Sequence, residues 1–152
     1  MRLEEIMNAN VKTVSESVSA EDARNQMTLN HIHHLVVTRY GKPVGIISER
    51  DIGGRLKTVS LNDKTVGELM TPHVVSAKVD TTVREAANLL RGYIIGCLPV
   101  YRNKELAGIV TVTDLLEAIG SGSNRPDWKA ARPNISRFHG RKERLKKTPA
   151  SR

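Results

Sequence analysis

Apolar residues in this chain recur with two spacings, helical and strand-like, and the same order of segments occurs twice. Ala20, Ala23 and Met27 share one face of a helix predicted to begin at Ser19. Val83, Ala86, Ala87 and Leu90 do the same in a helix beginning at Thr82. Thr82 with Glu85, and Thr65 with Glu68, have the spacing of capping boxes, in which a hydroxyl takes a free amide and the carboxylate reaches back. Short helical turns are predicted over residues 3–7 and 66–70, and strands over 11–14 and 74–79. Two β-branched runs follow each long helix. Residues 35–38 and 44–47 are joined through Tyr40-Gly41-Lys42-Pro43, and residues 98–101 and 106–110 through Arg102-Asn103-Lys104, so both pairs read as hairpins. A last helix starts at Asp51 and at Asp114. In the first copy it contains Gly53 and Gly54, each costing about 1 kcal/mol against Ala, and is expected to be short or frayed. The unit is β-α-β-β-α, and the fold class is α+β.

The duplication is plainest in one heptapeptide. Gly45-Ile46-Ile47-Ser48-Glu49-Arg50-Asp51 returns 63 residues later as Gly108-Ile109-Val110-Thr111-Val112-Thr113-Asp114. The offset holds without a gap: Met7 matches Met70, Val11 Val74, Ala23 Ala86, Leu35 Leu98 and Val37 Val100. Repeats of this kind define the architecture. A single unit of ~60 residues buries a marginal share of its surface, so two are expected to pack together. The expected organisation is a first repeat over 1–57, a linker over 58–64, a second repeat over 65–120 and a tail over 121–152.

Charge changes the picture only for the tail. Ten Lys/Arg and two acidic residues lie in 121–152, leaving fourteen of each sign in 1–120. The body is neutral and the tail carries the whole net charge of +8. Gly120-Ser121-Gly122-Ser123-Asn124 opens the tail with a flexible composition. Trp128 and Phe138, two of five aromatics, lie among its Arg and Lys. This suits RNA, an acidic protein surface or plain solvation. Cys97 is the single cysteine, which excludes a disulfide within the chain and a thiolate cluster. No apolar run approaches the ~18 residues of a membrane span, and the acidic start is not expected to be a signal peptide. The expected setting is cytoplasmic, with no membrane partner.

Ser48 and Asp51, and likewise Thr111 and Asp114, project from a strand-to-helix junction. Such a junction offers amides and a partial positive charge that attract phosphate. A carboxylate there can also accept the vicinal hydroxyls of a ribose. Equally, Ser-x-x-Asp and Thr-x-x-Asp can be simple caps. The glycine allows close approach of a ligand or of another backbone.

With both heptapeptides, the chain resembles the tandem CBS-domain pair, also called the Bateman module. The resemblance spans residue 3 to about 120. It rests also on Ile6-Met7, Leu69-Met70-Thr71-Pro72, Thr82-Val83-Arg84-Glu85-Ala86 and Leu98-Pro99-Val100. It implies two repeats facing across a pseudo-twofold axis, with two clefts that hold adenosine-containing ligands. It implies ribose binding by Asp51 and Asp114, and ribose or phosphate contacts by Ser48 and Thr111. It also implies a base near Lys12 and His33 in one cleft and near Val75 and Gly96 in the other. The first copy has Val36 where the second has Pro99.

Other residues also carry chemistry. Arg50 could neutralise a phosphate; its counterpart is Thr113. His31 and His33 would share a strand face with His34 turned away, more suited to lining a pocket than to holding a metal. Cys97 reads as a buried thiol, and no motif supplies it with a base. No catalytic residue, metal or cofactor is expected. The expected role is a regulatory module that binds an adenine nucleotide (AMP, ADP or ATP) and couples binding to a partner, with a homodimer as the expected assembly. The alternatives are a nucleic-acid-binding protein that acts through its tail, with the repeat pair as scaffold, or an enzyme using His33, Cys97 or the aspartates.

Overall fold

The computed structural model describes residues 1–53, 61–72 and 74–120. The expectations for the tail and for residues 58–60 of the linker lie outside the described residues.

Both repeats fold as the periodicity requires. In the first, β1 (Thr13–Ser15) pairs parallel with β2 (His34–Arg39), which pairs antiparallel with β3 (Lys42–Ser48). The parallel pair needs a crossover, supplied by α1 (Ala20–Asn30). After β3 comes α2 (Glu49–Gly53), then a 3-10 turn at Leu61–Asp63, α3 (Val66–Leu69) and β4 (Thr71–Pro72). The second repeat sets β5 (Ala77–Lys78) parallel to β6 (Cys97–Arg102) and β6 antiparallel to β7 (Glu105–Thr111). α4 (Val83–Tyr93) is its crossover and α5 (Val112–Gly120) its last helix.

The predicted caps form. Ser19 accepts the amide of Asp22, Thr82 and Glu85 close a capping box, and so do Thr65 and Glu68. The long helices stop at His31 and Ile94, both left-handed and 63 residues apart. His31 is thus a helix cap and only His34 of the three histidines lies in a strand, so the expected strand face shared by His31 and His33 does not exist. The hairpin connections are also tighter than the sequence indicates. Tyr40-Gly41 and Asn103-Lys104 alone make the turns, all four with positive φ, as two-residue hairpins demand. Pro43 lies inside β3 opposite Thr38, where the register shifts, one of the few places a strand tolerates proline.

The sequence repeats are not the packing units. Leu3, in a 3-10 turn at Leu3–Glu5, is fully buried in the core of the second repeat with Ala86, Leu90, Leu98, Val100 and Val110. Its amide donates to the Thr81 carbonyl at 2.9 Å, and Asn8 exchanges two backbone bonds with Ile109. Val66 of α3, fully buried, belongs in turn to the first core with Val14, Ala23, Met27, Leu35 and Ile47, and β4 extends the first sheet by pairing with β3. Each repeat therefore lends its opening segment to the other. A third cluster, Val36, Ile46 and Cys97 with Val11, Val74 and Ile109 packed against it, joins residues of both repeats.

This exchange explains the heptapeptide glycines. A Cβ on Gly45 would stand 2.7 Å from Met70 Sδ and 2.8 Å from the Thr71 carbonyl oxygen; one on Gly108 would stand 2.6 Å from Met7 Sδ. Close approach of another chain segment, one of the uses a glycine allows there, is present in both copies.

Candidate functional site

β3 and β7 each end on the heptapeptide hydroxyl, and a helix begins at the next residue. Ser48 N and Oγ both donate to Asp51 Oδ2 at 2.8 Å, and Ser48 Oγ accepts the Asp51 amide at 3.2 Å. Thr111 and Asp114 repeat this arrangement at 2.7, 2.8 and 3.3 Å. The pair is therefore a cap in both copies. Yet the bonds use one carboxylate oxygen, and Oδ1 of each aspartate has no hydrogen-bond partner among the described residues. An ionised carboxylate has capacity for about four such bonds, so capping and ligand binding are compatible.

The junction itself has few free amides to offer. Ser48 N and Asp51 N are used in the cap, and Glu49 N donates to the His33 carbonyl at 2.9 Å. In the second copy Val112 N donates to the Gly96 carbonyl at 3.2 Å. The expectation of unpaired amides waiting for phosphate is thus corrected for these positions, whose amides are taken by side chains or by the carbonyls of His33 and Gly96.

A cavity of about 700 Å³ opens beside α2, within the size range of small-molecule sites. It brings His33, Ser48, Arg50 and Asp51 of the first repeat together with Val75 and Gly96 of the second. Val74, Tyr93, Ile94 and Ile95 give it an apolar wall. His33 and Gly96, expected in separate clefts, thus lie on one cavity. Lys12, Thr111 and Asp114 do not line it; they hold the positions that the 63-residue offset relates to Val75, Ser48 and Asp51.

Three further lining residues are not among the contacts expected from the sequence. Glu49 Oε2 and His33 Nδ1 share a hydrogen bond of 2.6 Å. Thr71 arrives on the exchanged segment. Ile94 is a β-branched residue at φ 55, a conformation costing of order 1–3 kcal/mol, and it stands 87% exposed at the cavity.

His34 crosses between the repeats. A Cβ on Gly96 would lie 2.8 Å from its Nε2, so glycine makes the room for the imidazole. Burial, then the neighbouring His33, hold its pKa below the ordinary value; Asp51 pulls the other way, and Arg50 adds the smallest lowering effect. Burial, with Asp51, pushes the Cys97 thiol up to about 12. At neutral pH it is protonated, a wall residue and a poor nucleophile. Among the described residues no cluster of three His, Cys, Asp or Glu could hold a metal ion. No described helix is long and apolar enough to cross a membrane.

Fold and cleft together define a two-repeat module with a ligand-sized cavity built from both repeats. The chain belongs to the CBS domain family, whose model matches residues 3–56 and 66–121. It is 28% identical over 135 residues to the CBS domain-containing protein YhcV of Bacillus subtilis, covering 88% of this chain and 94% of that one. It is 31% identical to a homoserine O-acetyltransferase of Methanohalobium evestigatum over 76% of this chain, but only 23% of that enzyme. The chain spans between a fifth and a third of the length of that enzyme and of several other curated relatives. Among solved structures, the CBS domain pair of protein MJ0100, in complex with 5′-methylthioadenosine and S-adenosyl-L-methionine, superposes with TM-score 0.73 at 30% identity, over 81% of this chain and 98% of that one. The CBS-domain protein ATU1752 of Agrobacterium tumefaciens superposes with TM-score 0.74 at 26% identity, over 78% and 99%.

Proposed function

We propose that the chain is a regulatory module that binds an adenosine-containing ligand, an adenine nucleotide above all, in the cavity beside α2. The observation that carries this reading is the Asp51 carboxylate. It is anchored through Oδ2 by its own cap and has Oδ1 spare at a cavity assembled from both repeats. In this reading Oδ1 accepts a ribose hydroxyl, and the base lies against Val75 and Gly96. Arg50 and His33 meet a phosphate. Asp114, Thr111 and Lys12 serve a second, related cleft. The resemblance to a CBS pair solved with two adenosyl compounds supports the ligand class. Because residues of both repeats line the cavity, a ligand favours one arrangement of the repeats, and that bias is what a partner would read. The setting we propose is cytoplasmic.

Native mass spectrometry of the purified chain, followed by calorimetric titration with AMP, ADP, ATP, S-adenosylmethionine and GMP, tests the reading. Adenosine compounds are expected to bind and GMP to bind more weakly; equal binding, or none, overturns it.

Segregation of charge favours a second activity, in residues that lie outside the described structure. With a neutral body and a +8 tail, single-stranded RNA binding belongs to 121–152, with a log–log salt slope of about −0.7 per phosphate contact. Anisotropy with labelled RNA should therefore show binding by the full chain and none by residues 1–120; equal binding by both refutes it.

A further inference from the structure

The two heptapeptide glycines face the two methionines of the exchanged segments, and the geometry is the same on both sides. Met7 N donates to the Leu3 carbonyl and Met70 N to the Val66 carbonyl, both at 2.8 Å, which fixes each methionine at the end of its turn. From there each thioether lies over a strand position that has no side chain. The built Cβ positions of Gly45 and Gly108 fall 2.7 and 2.6 Å from the two sulfurs, and 2.8 and 3.1 Å from the carbonyl oxygens of Thr71 and Asn8. The space is filled by sulfur and bounded by carbonyl oxygens, which cannot donate a hydrogen bond.

Both methionines are only partly buried, and Met70 also lines a second cavity of about 420 Å³ with Gly45, Pro72, Val74 and Pro99. The cavity gives a small oxidant a way to Met70, and partial exposure gives one to Met7. Met27, by contrast, is 2% exposed in the first core, and Met1 is 61% exposed. Oxidation converts an apolar, flexible side chain into a polar, chiral one. At Met7 and Met70 the sulfur already fills the place of the Cβ that Gly45 and Gly108 lack, so a bulkier, polar sulfoxide would have to shift the thioether off the strand.

From this we propose that Met7 and Met70 are a matched pair of oxidation sites, through which hydroperoxides loosen the exchanged segments and the cavity they help to build. The step is a two-electron oxygen transfer. The sulfur lone pair attacks one oxygen of hydrogen peroxide and the O–O bond breaks. The products are a sulfoxide and one water, with no net proton change on the protein. Sulfoxide reductases, one for each epimer, reverse it. The effect reaches the cavity because Thr71, which lines it, directly follows Met70, and β4 holds Thr71 opposite Ile46 on β3. The consequence for ligand affinity rests on the function proposed above; the consequence for stability does not.

The test treats the full chain with graded hydrogen peroxide, maps sulfoxide at each methionine by peptide mass spectrometry and follows thermal unfolding without ligand. Met7 and Met70 are expected to gain one oxygen each before Met27 does, with the melting temperature lowered by ~3 °C or more. Reductase treatment is expected to restore it. In the Met7→Leu/Met70→Leu variant, a nearly volume-conserving change, peroxide should leave the melting temperature in place. Should that variant fold poorly, recovery of the wild-type chain with reductase carries the same information. Met7 and Met70 staying unmodified while Met1 is fully converted overturns the proposal. So does a sulfoxide at both without a melting shift, or an equal shift in the variant. Titration of the oxidised chain with AMP is a separate arm. If melting falls but no adenosine compound binds either form, the oxidation sites stand and the ligand reading falls.

Discussion

Replacing Asp51 separates its two roles, because they fall on different carboxylate oxygens. Oδ2 takes the Ser48 amide and hydroxyl, whereas the proposed ribose bond uses Oδ1. Asp51→Ala removes both. The lost cap should cost ~0.5–2 kcal/mol of stability, and the lost charged acceptor ~1.5–3 kcal/mol of binding, a ~10- to 150-fold weaker Kd. Asp51→Asn keeps one oxygen to accept from Ser48 and puts an amide NH2 where Oδ1 stood. Stability should then stay closer to wild type than in Asp51→Ala, while binding still weakens by ~10-fold, since a neutral partner is worth roughly half a charged one. Ser48→Ala should show the reverse balance: a loss of cap stability with a smaller loss of affinity. Urea unfolding gives the first number and calorimetric titration with AMP the second. Asp114→Ala, measured alongside, should leave the Asp51 site intact. If Asp51→Asn binds as the wild type does, or if Asp51→Ala loses affinity only as far as it unfolds, the carboxylate is a cap and nothing more.

Three further outcomes follow. Because the folded pKa of His34 is depressed, the unfolded chain binds more protons on that residue; its contribution is fully present above the ordinary value of 6.5 and is lost as pH falls through the lower folded pKa. His34→Asn should flatten that part of the melting-temperature profile, and an unchanged slope removes His34 from the account. Arg50 has Thr113 as its counterpart, so Arg50→Thr should narrow the preference of the Asp51 cleft for ATP over AMP in competition titrations; an unmoved ratio makes Arg50 a solvated side chain. α5 exposes Leu116 at 64% and Ile119 at 74% one helical turn apart, an apolar strip that the expected homodimer would cover, so Leu116→Glu should shift light scattering from dimer toward monomer, and a wild-type chain that is monomeric at high micromolar concentration rejects that assembly.

Local chemistry was legible in the sequence, and long-range contacts were not. Capping boxes at Thr65 and Thr82, the crossover helices and both hairpins follow from spacing over a few residues, and all of them form. Pro43 misled the reading of its turn because proline signals a turn more often than a bulge. Its register opposite Thr38 depends on strand pairing that spacing does not reveal. His31 and His33 looked like strand residues because a helix end in the left-handed region, taken here by histidine and isoleucine, lacks its usual glycine. Ser48, Arg50 and Asp51 were visible through the duplicated heptapeptide. Thr71 and Glu49 stand in the same motifs, but their place at the cavity was not visible: one reaches it on a segment exchanged between repeats, the other by pairing with His33 sixteen residues away.

That exchange also bears on how such a chain can arise. Leu3 fills the core of the other repeat, and so does its counterpart Val66. A lone ancestral copy packed in this way would have an opening segment with no core of its own to enter, and a core with its first layer missing. A second identical copy supplies both at once, under a closed twofold symmetry. Fusion of two such genes would then have turned a concentration-dependent association into a permanent one, and freed each half to diverge. The single Cys97 opposite His34, and Arg50 opposite Thr113, are the kind of difference that only a fused pair, no longer bound to be identical, can accumulate.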